Sequence, residues 1–302
     1  MFAPVIVFVY HRLEHTRRTF EALRKNEGAS ESCVRIYSDG ARDSAEDREK
    51  VRAVREYIRT IDGFKNVEIV EAPRNFGLAD SVIRGVTETV REFGRVIVLE
   101  DDMETSPFFL RYMNEALDRF EADPRIAAIH GYAYPYDVPV PDYFLRIGAD
   151  CWGWATWAES WKQFNPDAVA LYEEIRRRNL SWTFDFEGAI PHCLMLREFI
   201  AGKTSSWAIR WNASLFLKGK YCLQLRESMV RNIGVDASGS HCGKEEFYDV
   251  KLADRPVEWK EEPGLEDEVT HEALRRFYLK NRLPLWRRGI RKFFRILSCL
   301  HG

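Results

Sequence analysis

The sequence predicts an α/β fold whose mainly parallel central sheet is flanked by helices, and two observations support this prediction. Short hydrophobic runs alternate with amphipathic, helix-like segments through the first half of the chain, and the runs lie at 5–10, 34–37, 66–73 and 94–102. Polar triplets follow three of these runs: Tyr10-His11-Arg12, Ser38-Asp39-Gly40 and Glu100-Asp101-Asp102. Strands that alternate with helices form parallel sheets, and ligands bind at the carboxyl ends of such strands. We therefore expect a functional site at one edge of the sheet.

The individual elements follow from periodicity and turn residues. The continuous apolar run 5–10 is typical of a buried strand, and segment 16–25 carries Phe20 and Leu23 on one helical face. Segment 47–60 is predicted to be a charged helix, and 66–73 a third strand. A glycine turn introduces a helix over 75–93, the run 94–102 is a fourth strand, and 107–122 is a further helix. The segment "RIAAIHGYAY" is expected to be another strand.

Composition limits the functional classes. The 302 residues are 45% hydrophobic and 13% aromatic, enough for a large packed core, and a net charge of -2 gives no general attraction to nucleic acid. Six cysteines without a CxxC pair are typical of reduced thiols in a cytosolic enzyme. The N-terminal apolar run is short and lacks a basic region, and no stretch approaches the roughly 20 apolar residues of a membrane span. We expect a cytoplasmic protein.

The acidic triplet Glu100-Asp101-Asp102 ends the fourth strand, and three adjacent anions repel one another. A divalent cation prefers oxygen ligands, and it neutralises the charge that develops on a diphosphate leaving group. The triplet therefore suits a nucleotide diphosphate and its metal. A solvated strand end or a cap for the following helix is the alternative, because acidic side chains also serve those roles.

Seven segments taken together resemble the GT-A glycosyltransferases, namely the bacterial family 2-like enzymes and the related N-acetylglucosaminyltransferase I group. In chain order they are "PVIVFVYHRLEHTRRTFEAL", "IYSDGA", "NFGLADSVIRG", "VIVLEDDMETSPFFLRYMNEAL", "CWGWATWAESW", "SSWAIRW" and "RNIGVDASGSHCG". The resemblance implies a GT-A fold, a nucleotide-sugar donor such as UDP-GlcNAc, Mn2+ or Mg2+ as the cofactor, and transfer to a hydroxyl of a glycan or a lipid-linked acceptor with inversion.

The same resemblance assigns roles to positions at the strand ends. It implies that Asp102 binds the metal, that Asp101 contacts the ribose and that Glu100 contacts the donor sugar. Asp39 matches an aspartate that pairs with the base, although an ordinary Asp-Gly turn is the alternative. Arg12 matches an arginine beside the diphosphate, where a guanidinium binds well; a surface ion pair is the alternative.

The remaining site residues lie later in the chain. In "VDASGSHCG", His241 is expected to be a second metal or phosphate ligand, although a lone histidine is more often structural. Within the tryptophan-rich "CWGWATWAESW", Trp154 is expected to line the acceptor groove while the other rings pack. Relatives commonly place the general base before the tryptophan of "SSWAIRW", where this chain has Ser205 and Ser206. Asp185 and Glu187 are the carboxylates proposed instead, with a helix-start role as the alternative.

The domain division predicted is a glycosyltransferase domain over 1–245, a charged linker over 246–270 and a basic amphipathic tail over 271–302. Residues 275–302 hold nine Lys or Arg and no acidic residue. Such a helix suits peripheral contact with an anionic membrane surface at the inner face, and packing on its own domain or on a partner is the alternative.

Two other functions remain open. A non-catalytic domain that binds sugar nucleotide or glycan as an assembly subunit is consistent with the missing base. A sugar-nucleotide nucleotidyltransferase would share the sheet and the metal, but it needs a glycine-rich phosphate loop, and "VFVYHRLEH" contains no glycine.

Overall fold

The computed structural model describes residues 2–235 and 246–281 of the chain, and in that part ten strands form an eight-stranded sheet and a two-stranded ribbon. The strands are β1 (Val5–Val9), β2 (Cys33–Ser38), β3 (Asn66–Glu71), β4 (Arg95–Glu100), β5 (Met103–Thr105), β6 (Ile126–His130), β7 (Tyr143–Ile147), β8 (Trp154–Trp157), β9 (Tyr221–Leu225) and β10 (Val230–Asn232). The large sheet has the order β3-β2-β1-β4-β8-β6-β9-β7.

Helices flank the sheet and complete the predicted α/β class, which is confirmed. They are α1 (Leu13–Arg24), α2 (Ala45–Ile58), α3 (Leu78–Phe93), α4 (Phe109–Phe120), α5 (Ala158–Trp161), α6 (Ala168–Arg177), α7 (Ser181–Phe184), α8 (His192–Ile200), α9 (Ala208–Leu217) and α10 (Glu268–Asn281). The predicted elements of the first half all exist, with ends that differ by a few residues.

Strand β1 shows why the sheet is buried on both faces. Its residues alternate between two hydrophobic clusters: Val5 and Val7 pack with residues of α1, α2 and α4, whereas Ile6 and Phe8 pack with residues of α3, α5 and α9. Successive side chains of a strand point to opposite faces, so a continuous apolar run fits a sheet that has helices on both sides.

The two halves of the sheet differ in direction. Strands β3, β2, β1 and β4 are all parallel, whereas β8 is antiparallel to both β4 and β6. Trp154 at the start of β8 pairs with Val98 of β4 and with His130 of β6. Because of this register, the loop that enters β8 lies beside the carboxyl ends of β4 and β6, at the edge where the acidic triplet lies.

The small ribbon closes this edge. Strands β5 and β10 pair antiparallel, with Met103 opposite Asn232. Just beyond the ribbon, the amide of Ile233 donates a hydrogen bond to the carbonyl of Asp102 at 2.8 Å. A residue 131 positions farther along the chain therefore fixes the backbone of the acidic triplet.

Segment 246–270, expected to be a linker, is instead packed on the domain. Ala253 is buried in the main core and Trp259 packs against the same cluster, while the amide of Leu145 in β7 donates to the carbonyl of Gly264 at 2.8 Å. The segment is polar because one side faces solvent, but its apolar residues cover the edge of the sheet. Helix α10 continues this packing, and Leu274 is fully buried there.

The rest of the predicted basic tail, 282–302, lies outside the described residues. Among the helices that are described, none combines the length and the apolar character that a membrane crossing requires.

Candidate active site

Arg12, Asp101 and Asp102 form a buried ion-pair cluster at the carboxyl edge of the sheet. Arg12 follows β1, the two aspartates follow β4, and these strands are parallel neighbours. The Arg12 Nη2 donates to Asp102 Oδ2 at 2.7 Å and also to Asp101 Oδ1. The three side chains are only 16%, 12% and 7% exposed for Arg12, Asp102 and Asp101. The sequence placed all three at strand ends, and the fold brings them into contact.

Two polar atoms of this cluster have no partner in the described structure. The Asp102 Oδ1 and the Arg12 Nη1 are buried and make no hydrogen bond there. Buried polar atoms without partners are costly, so each such atom calls for an explanation such as an ion or a ligand. The unpaired oxygen suits a cation, and the unpaired N–H suits an anionic oxygen.

Gly234 makes room for the cluster. A Cβ at this position would lie 2.1 Å from Asp102 Oδ2 and 2.9 Å from Arg12 Nη1. No side chain fits there, because those distances are below any van der Waals contact. The glycine of "RNIG" is thus required for the ion pair to form.

The electrostatics of the triplet are dominated by burial. Burial, together with the neighbouring charges of Asp102 and Asp101, raises the pKa of Glu100 to about 8. Burial also raises the pKa of Asp101, against the opposing charge of Arg12. Glu100 is therefore protonated near neutral pH in the free protein. A bound cation would favour its ionised form.

Asp39 has a different role from the one predicted. Its Oδ1 accepts hydrogen bonds from the amides of Gly40 at 2.8 Å and Phe76 at 2.9 Å, and its Oδ2 accepts from Gly77 N at 2.9 Å and Asn75 Nδ2 at 3.0 Å. A carboxylate has about four lone-pair positions, so no acceptor capacity remains for a nucleobase. Asp39 organises the turn before α3, and the expected direct pairing with a base does not fit this geometry.

A small cavity of about 150 Å³ adjoins this turn on the α3 face of the sheet. Tyr37, Val70 and Phe76 supply apolar lining, and Asp80 and Arg84 supply polar groups. An apolar lining with a few polar groups is typical of small-molecule sites. Asp39 shapes this cavity through the backbone that it holds.

Asp150 is a residue of this edge that the sequence reasoning missed. It lies in the loop that enters β8, next to Cys151, whose pKa is raised by burial and also by the nearby Glu100. The guanidinium of Arg146 donates to Asp150, and the Tyr134 hydroxyl donates to its Oδ1 at 3.4 Å. Its side chain is 24% exposed. Its position depends on the antiparallel placement of β8 between β4 and β6. No local sequence pattern predicts that placement.

His130 lies beside this carboxylate, but it is neutral. Its Nδ1 is 3.8 Å from Asp150 Oδ2, and burial lowers the pKa of its imidazole to about 3. The Nδ1 also contacts Gln224 Oε1 at 3.1 Å. The cationic partner of Asp150 is therefore Arg146.

The two carboxylates predicted to be the base have structural partners. Asp185 ends α7, and its Oδ1 accepts from the amide of Cys193 at 2.6 Å in the first turn of α8. Glu187 lies 3.4 Å from Arg275 Nε and 3.7 Å from His271 Nε2, both on α10. Neither has a described contact with the acidic triplet, so the structure does not bring them together with it.

Trp154 is a core residue. Its ring is 1% exposed and lies 5.3 Å from Trp207 and 6.3 Å from Trp211, centroid to centroid. A ring enclosed by other tryptophans offers no face to a sugar, so the expected acceptor role is wrong. The tryptophan-rich segment comprises the loop before β8, β8 itself and α5.

The metal ligands predicted are Asp102 and His241, and His241 lies outside the described residues. Within 2–235 and 246–281, no group of three or more His, Cys, Asp or Glu side chains is arranged to hold a metal ion. Asp102 Oδ1, which has no hydrogen-bond partner in the described structure, and the adjacent acidic residues Asp101 and Glu100 are the groups that we consider for a divalent cation. Such a set fits a cation that takes most of its ligands from a bound diphosphate and water, as Mg2+ commonly does.

Comparison with known proteins gives distant likenesses among solved structures. No protein-family model and no curated protein matches the chain. Among solved structures it is similar to mannosyltransferase PcManGT from Pyrobaculum calidifontis in complex with GDP-Man and Mn2+, with 13% identity, a TM-score of 0.39 and coverage of 72% of this chain and 70% of that chain.

It is also similar to S. aureus TarS, with 14% identity, a TM-score of 0.33 and coverage of 49% of this chain and 25% of that chain. For a shorter TarS chain in complex with UDP, the identity is 16% and the TM-score 0.32, with 47% of this chain and 38% of that chain covered. The match thus spans well under half of either TarS chain. Likenesses this distant assign neither a fold family nor an activity to this protein.

Proposed function

We propose that the protein is a glycosyltransferase that binds a nucleotide-diphosphate sugar at the Arg12, Asp101 and Asp102 cluster and transfers the sugar to a hydroxyl group. The observation that carries the proposal is the pair of unpartnered buried atoms, Asp102 Oδ1 and Arg12 Nη1. One suits a cation and the other suits a phosphate oxygen, and a nucleotide diphosphate with its metal supplies both.

The diphosphate of the donor would replace one or both aspartates as the hydrogen-bond acceptor of Arg12. Arg12 already donates to both aspartates, and the oxygens of a diphosphate would compete for the same guanidinium. In this proposal Asp102, with His241 as a second candidate ligand, holds Mn2+ or Mg2+, whose bound form would neutralise charge on the leaving diphosphate. Asp101 and Glu100 would contact the ribose and the donor sugar.

The base of the nucleotide would occupy the cavity beside Phe76. Its polar lining from Asp80 and Arg84 offers both a hydrogen-bond acceptor and a donor. Uracil, the base of UDP-GlcNAc, is the one suggested by the sequence resemblance. Asp39 then contributes through the turn that it holds rather than by contact.

For the acceptor, we place the attacking hydroxyl at Asp150. Its carboxylate lies on the loop beside the end of β4 and is only part-exposed. The carboxylate pairs with the guanidinium of Arg146. In this proposal it accepts the hydroxyl proton as the new bond forms. Direct attack assisted by such a base would invert the anomeric carbon. Glu187 and Asp185 are less suitable, because they lie between α7 and α8 rather than on the loop beside the end of β4.

A donor screen tests the first part of the proposal. Melting temperature would be measured with UDP-sugars and GDP-sugars, each with and without Mn2+, because a ligand that binds the folded state raises it. Asp102→Ala should abolish the rise. Asp118→Ala is the matched control, since Asp118 is 66% exposed and pairs with Arg95 on the surface. No rise with any donor, or an equal rise in Asp102→Ala, contradicts the proposal.

A transfer assay tests the second part. Purified protein would receive the donor identified above and a membrane lipid extract as the acceptor source, with the anomeric configuration of the product read by NMR. Asp150→Asn should keep donor binding and lose transfer by about 100-fold or more, the usual contribution of a general base. If Glu187→Gln lost transfer activity to that extent and Asp150→Asn did not, the base would be Glu187 instead.

A non-catalytic domain that binds sugar nucleotide is the second candidate. Ser205 and Ser206 precede Trp207 where relatives commonly carry the base, and the Ser206 hydroxyl accepts a hydrogen bond from the amide of Ile209 at 3.5 Å. Donor binding without any turnover, in the parent and in Asp150→Asn alike, would favour this candidate.

A further inference from the structure

Arginine side chains line a second groove, on the α2 face of the sheet. The groove has a volume of about 490 Å³, and its five arginines are Arg42, Arg48, Arg52, Arg55 and Arg59. Asp43 and Glu71 are the two acidic residues of its lining. The lining therefore carries a formal charge of five positive minus two negative, or +3, in a protein whose net charge is -2.

The helical repeat places the arginines together. Arg48, Arg52, Arg55 and Arg59 are spaced by four, three and four residues along α2, so their side chains lie on one face of the helix. The backbones of Gly40–Ala41 and Ala72–Pro73, after the ends of β2 and β3, form the rest of the lining. A charged stripe on a helix usually faces open solvent, whereas this stripe faces a concave surface.

One arginine holds the groove in shape. Arg55 is 21% exposed, donates to the carbonyl of Ala72 at 2.7 Å and pairs with Glu71 at 3.3 Å. Arg59 pairs with the same carboxylate at 2.5 Å. Two guanidinium groups thus share Glu71, which leaves positive charge uncompensated at this end.

Arg48 and Arg52 pair with exposed carboxylates. Arg48 pairs with Asp43 at 2.9 Å, and Arg52 pairs with Glu49 at 2.6 Å. The side chains of Arg48 and Arg52 are 58% and 65% exposed, and their carboxylate partners are more than half exposed. Exposed ion pairs contribute little to stability, so an anion with more charge can displace these carboxylates at low cost.

The groove is separate from the candidate active site. It lies against α2, whereas the cavity beside Phe76 lies against α3 on the opposite face of the sheet. Arg12 and the acidic triplet are not part of its lining. The two places are neighbours, since Ala72 lines both and the Arg55 guanidinium donates to Ser38 Oγ and to the carbonyl of Asp39, each at 3.2 Å.

We propose that this arginine groove binds a multiply charged phosphate group, at a site distinct from the donor. One guanidinium group can donate two parallel hydrogen bonds to a phosphate. Several guanidinium groups on one concave surface therefore favour a diphosphate over a single carboxylate. The source is either a free diphosphate-bearing metabolite or the phosphorylated head group of a lipid, and both present the same chemistry. The proposal does not depend on the proposed transferase activity.

Inorganic pyrophosphate is the probe, measured by titration calorimetry in the Asp102→Ala background, so that the candidate donor site contributes no binding. Arg48→Gln/Arg52→Gln is the test variant. Arg111→Gln/Arg177→Gln is the matched control, because it removes the same charge from exposed arginines whose ion pairs lie outside the groove. We expect the test variant to bind about tenfold more weakly or worse and the control to match the parent, because charge-assisted hydrogen bonds are among the stronger ones.

Three results would overturn the proposal: no pyrophosphate binding in the parent background, equal binding in the test variant, or an equal loss in the control. Melting temperature and circular dichroism of each variant establish that it is folded. A fourth result also counts against a separate site, namely loss of donor-induced stabilisation when Arg48→Gln/Arg52→Gln is made in the chain that keeps Asp102. That outcome would make the groove part of the donor site.

Flotation with phosphatidylcholine vesicles, with and without phosphatidic acid, separates the two sources. Flotation that depends on phosphatidic acid and is lost in the test variant identifies the lipid head group. Pyrophosphate binding without such flotation identifies a free anion. The affinity should fall as salt is added in either case, since part of the groove is exposed.

Discussion

Replacing Arg12 with methionine isolates the energetics of the acidic triplet. The substitution keeps a long apolar stem and removes the guanidinium that donates to Asp101 and to Asp102. Because both carboxylates are about nine-tenths buried, they are left without a compensating charge. Breaking a buried ion pair by removal of one partner costs about 3 to 5 kcal/mol, and we expect Arg12→Met to lose that much free energy of unfolding near pH 8.

The loss should depend on pH in a definite direction. Burial already raises the pKa of Glu100 to about 8 and raises that of Asp101, and loss of the guanidinium raises both further. A carboxyl whose folded pKa is raised favours the folded state at low pH and loses that contribution as pH rises. The difference between Arg12→Met and the parent should therefore be largest above about pH 8 and shrink toward acid.

Urea unfolding at about pH 8 and at about pH 5.5 measures both effects. Arg18→Met is the control, because its pair with Glu104 is at 2.8 Å but Arg18 is 43% exposed, and such pairs are worth about 1 kcal/mol or less. Added Mn2+ should restore part of the stability of Arg12→Met, since a cation can replace the lost charge. A variant as stable as the parent, or equally destabilised at both pH values, would refute this account of the triplet.

Three further outcomes are expected. Gly234→Ala should weaken donor affinity by about tenfold, because the new Cβ would lie 2.1 Å from Asp102 Oδ2. A donor-induced rise in melting temperature equal to that of the parent would contradict this. Glu100→Gln should be more stable than the parent above about pH 8, since the parent loses stability as pH rises from 4.5 toward the raised pKa of Glu100; melting curves across that range check the sign. Trp154→Ala should lose about 3 to 5 kcal/mol in urea unfolding, as a fully buried ring packed against Trp207 and Trp211 would, whereas a loss below about 1 kcal/mol would mean that the ring is not core.

The first half of the chain could be predicted because its signals are local. Apolar runs such as 5–10 and 94–102 are continuous, and turns with glycine or polar residues separate them from amphipathic helices. The rule that ligands bind at the carboxyl ends of parallel strands then brought Arg12 together with the acidic triplet. These inferences needed no knowledge of distant contacts.

The second half could not be predicted in the same way. Asp150 reaches the edge because β8 lies antiparallel between β4 and β6. Local periodicity predicts where a strand is, but it does not predict the order of the strands in the sheet. Trp154 looked like a sugar-stacking residue because aromatic composition does not distinguish core from groove. The 246–270 segment looked like a linker because its charged residues outnumber the few apolar ones, such as Trp259, that hold it to the core.

Asp39 was misjudged for a related reason. An Asp-Gly pair after a strand is compatible with a ligand contact and with a turn. The three-dimensional structure is needed to show which donors the carboxylate accepts hydrogen bonds from. The four hydrogen bonds that it accepts place it firmly among the structural residues of the site.

The saturated carboxylate of Asp39 also has a kinetic consequence. Since the turn at 75–77 is already ordered in the free protein, a molecule that docks against Phe76 does not have to freeze that backbone on arrival. Little conformational entropy is then lost in this part of the encounter, and capture there should be governed by diffusion and electrostatics rather than by a slow rearrangement of the turn.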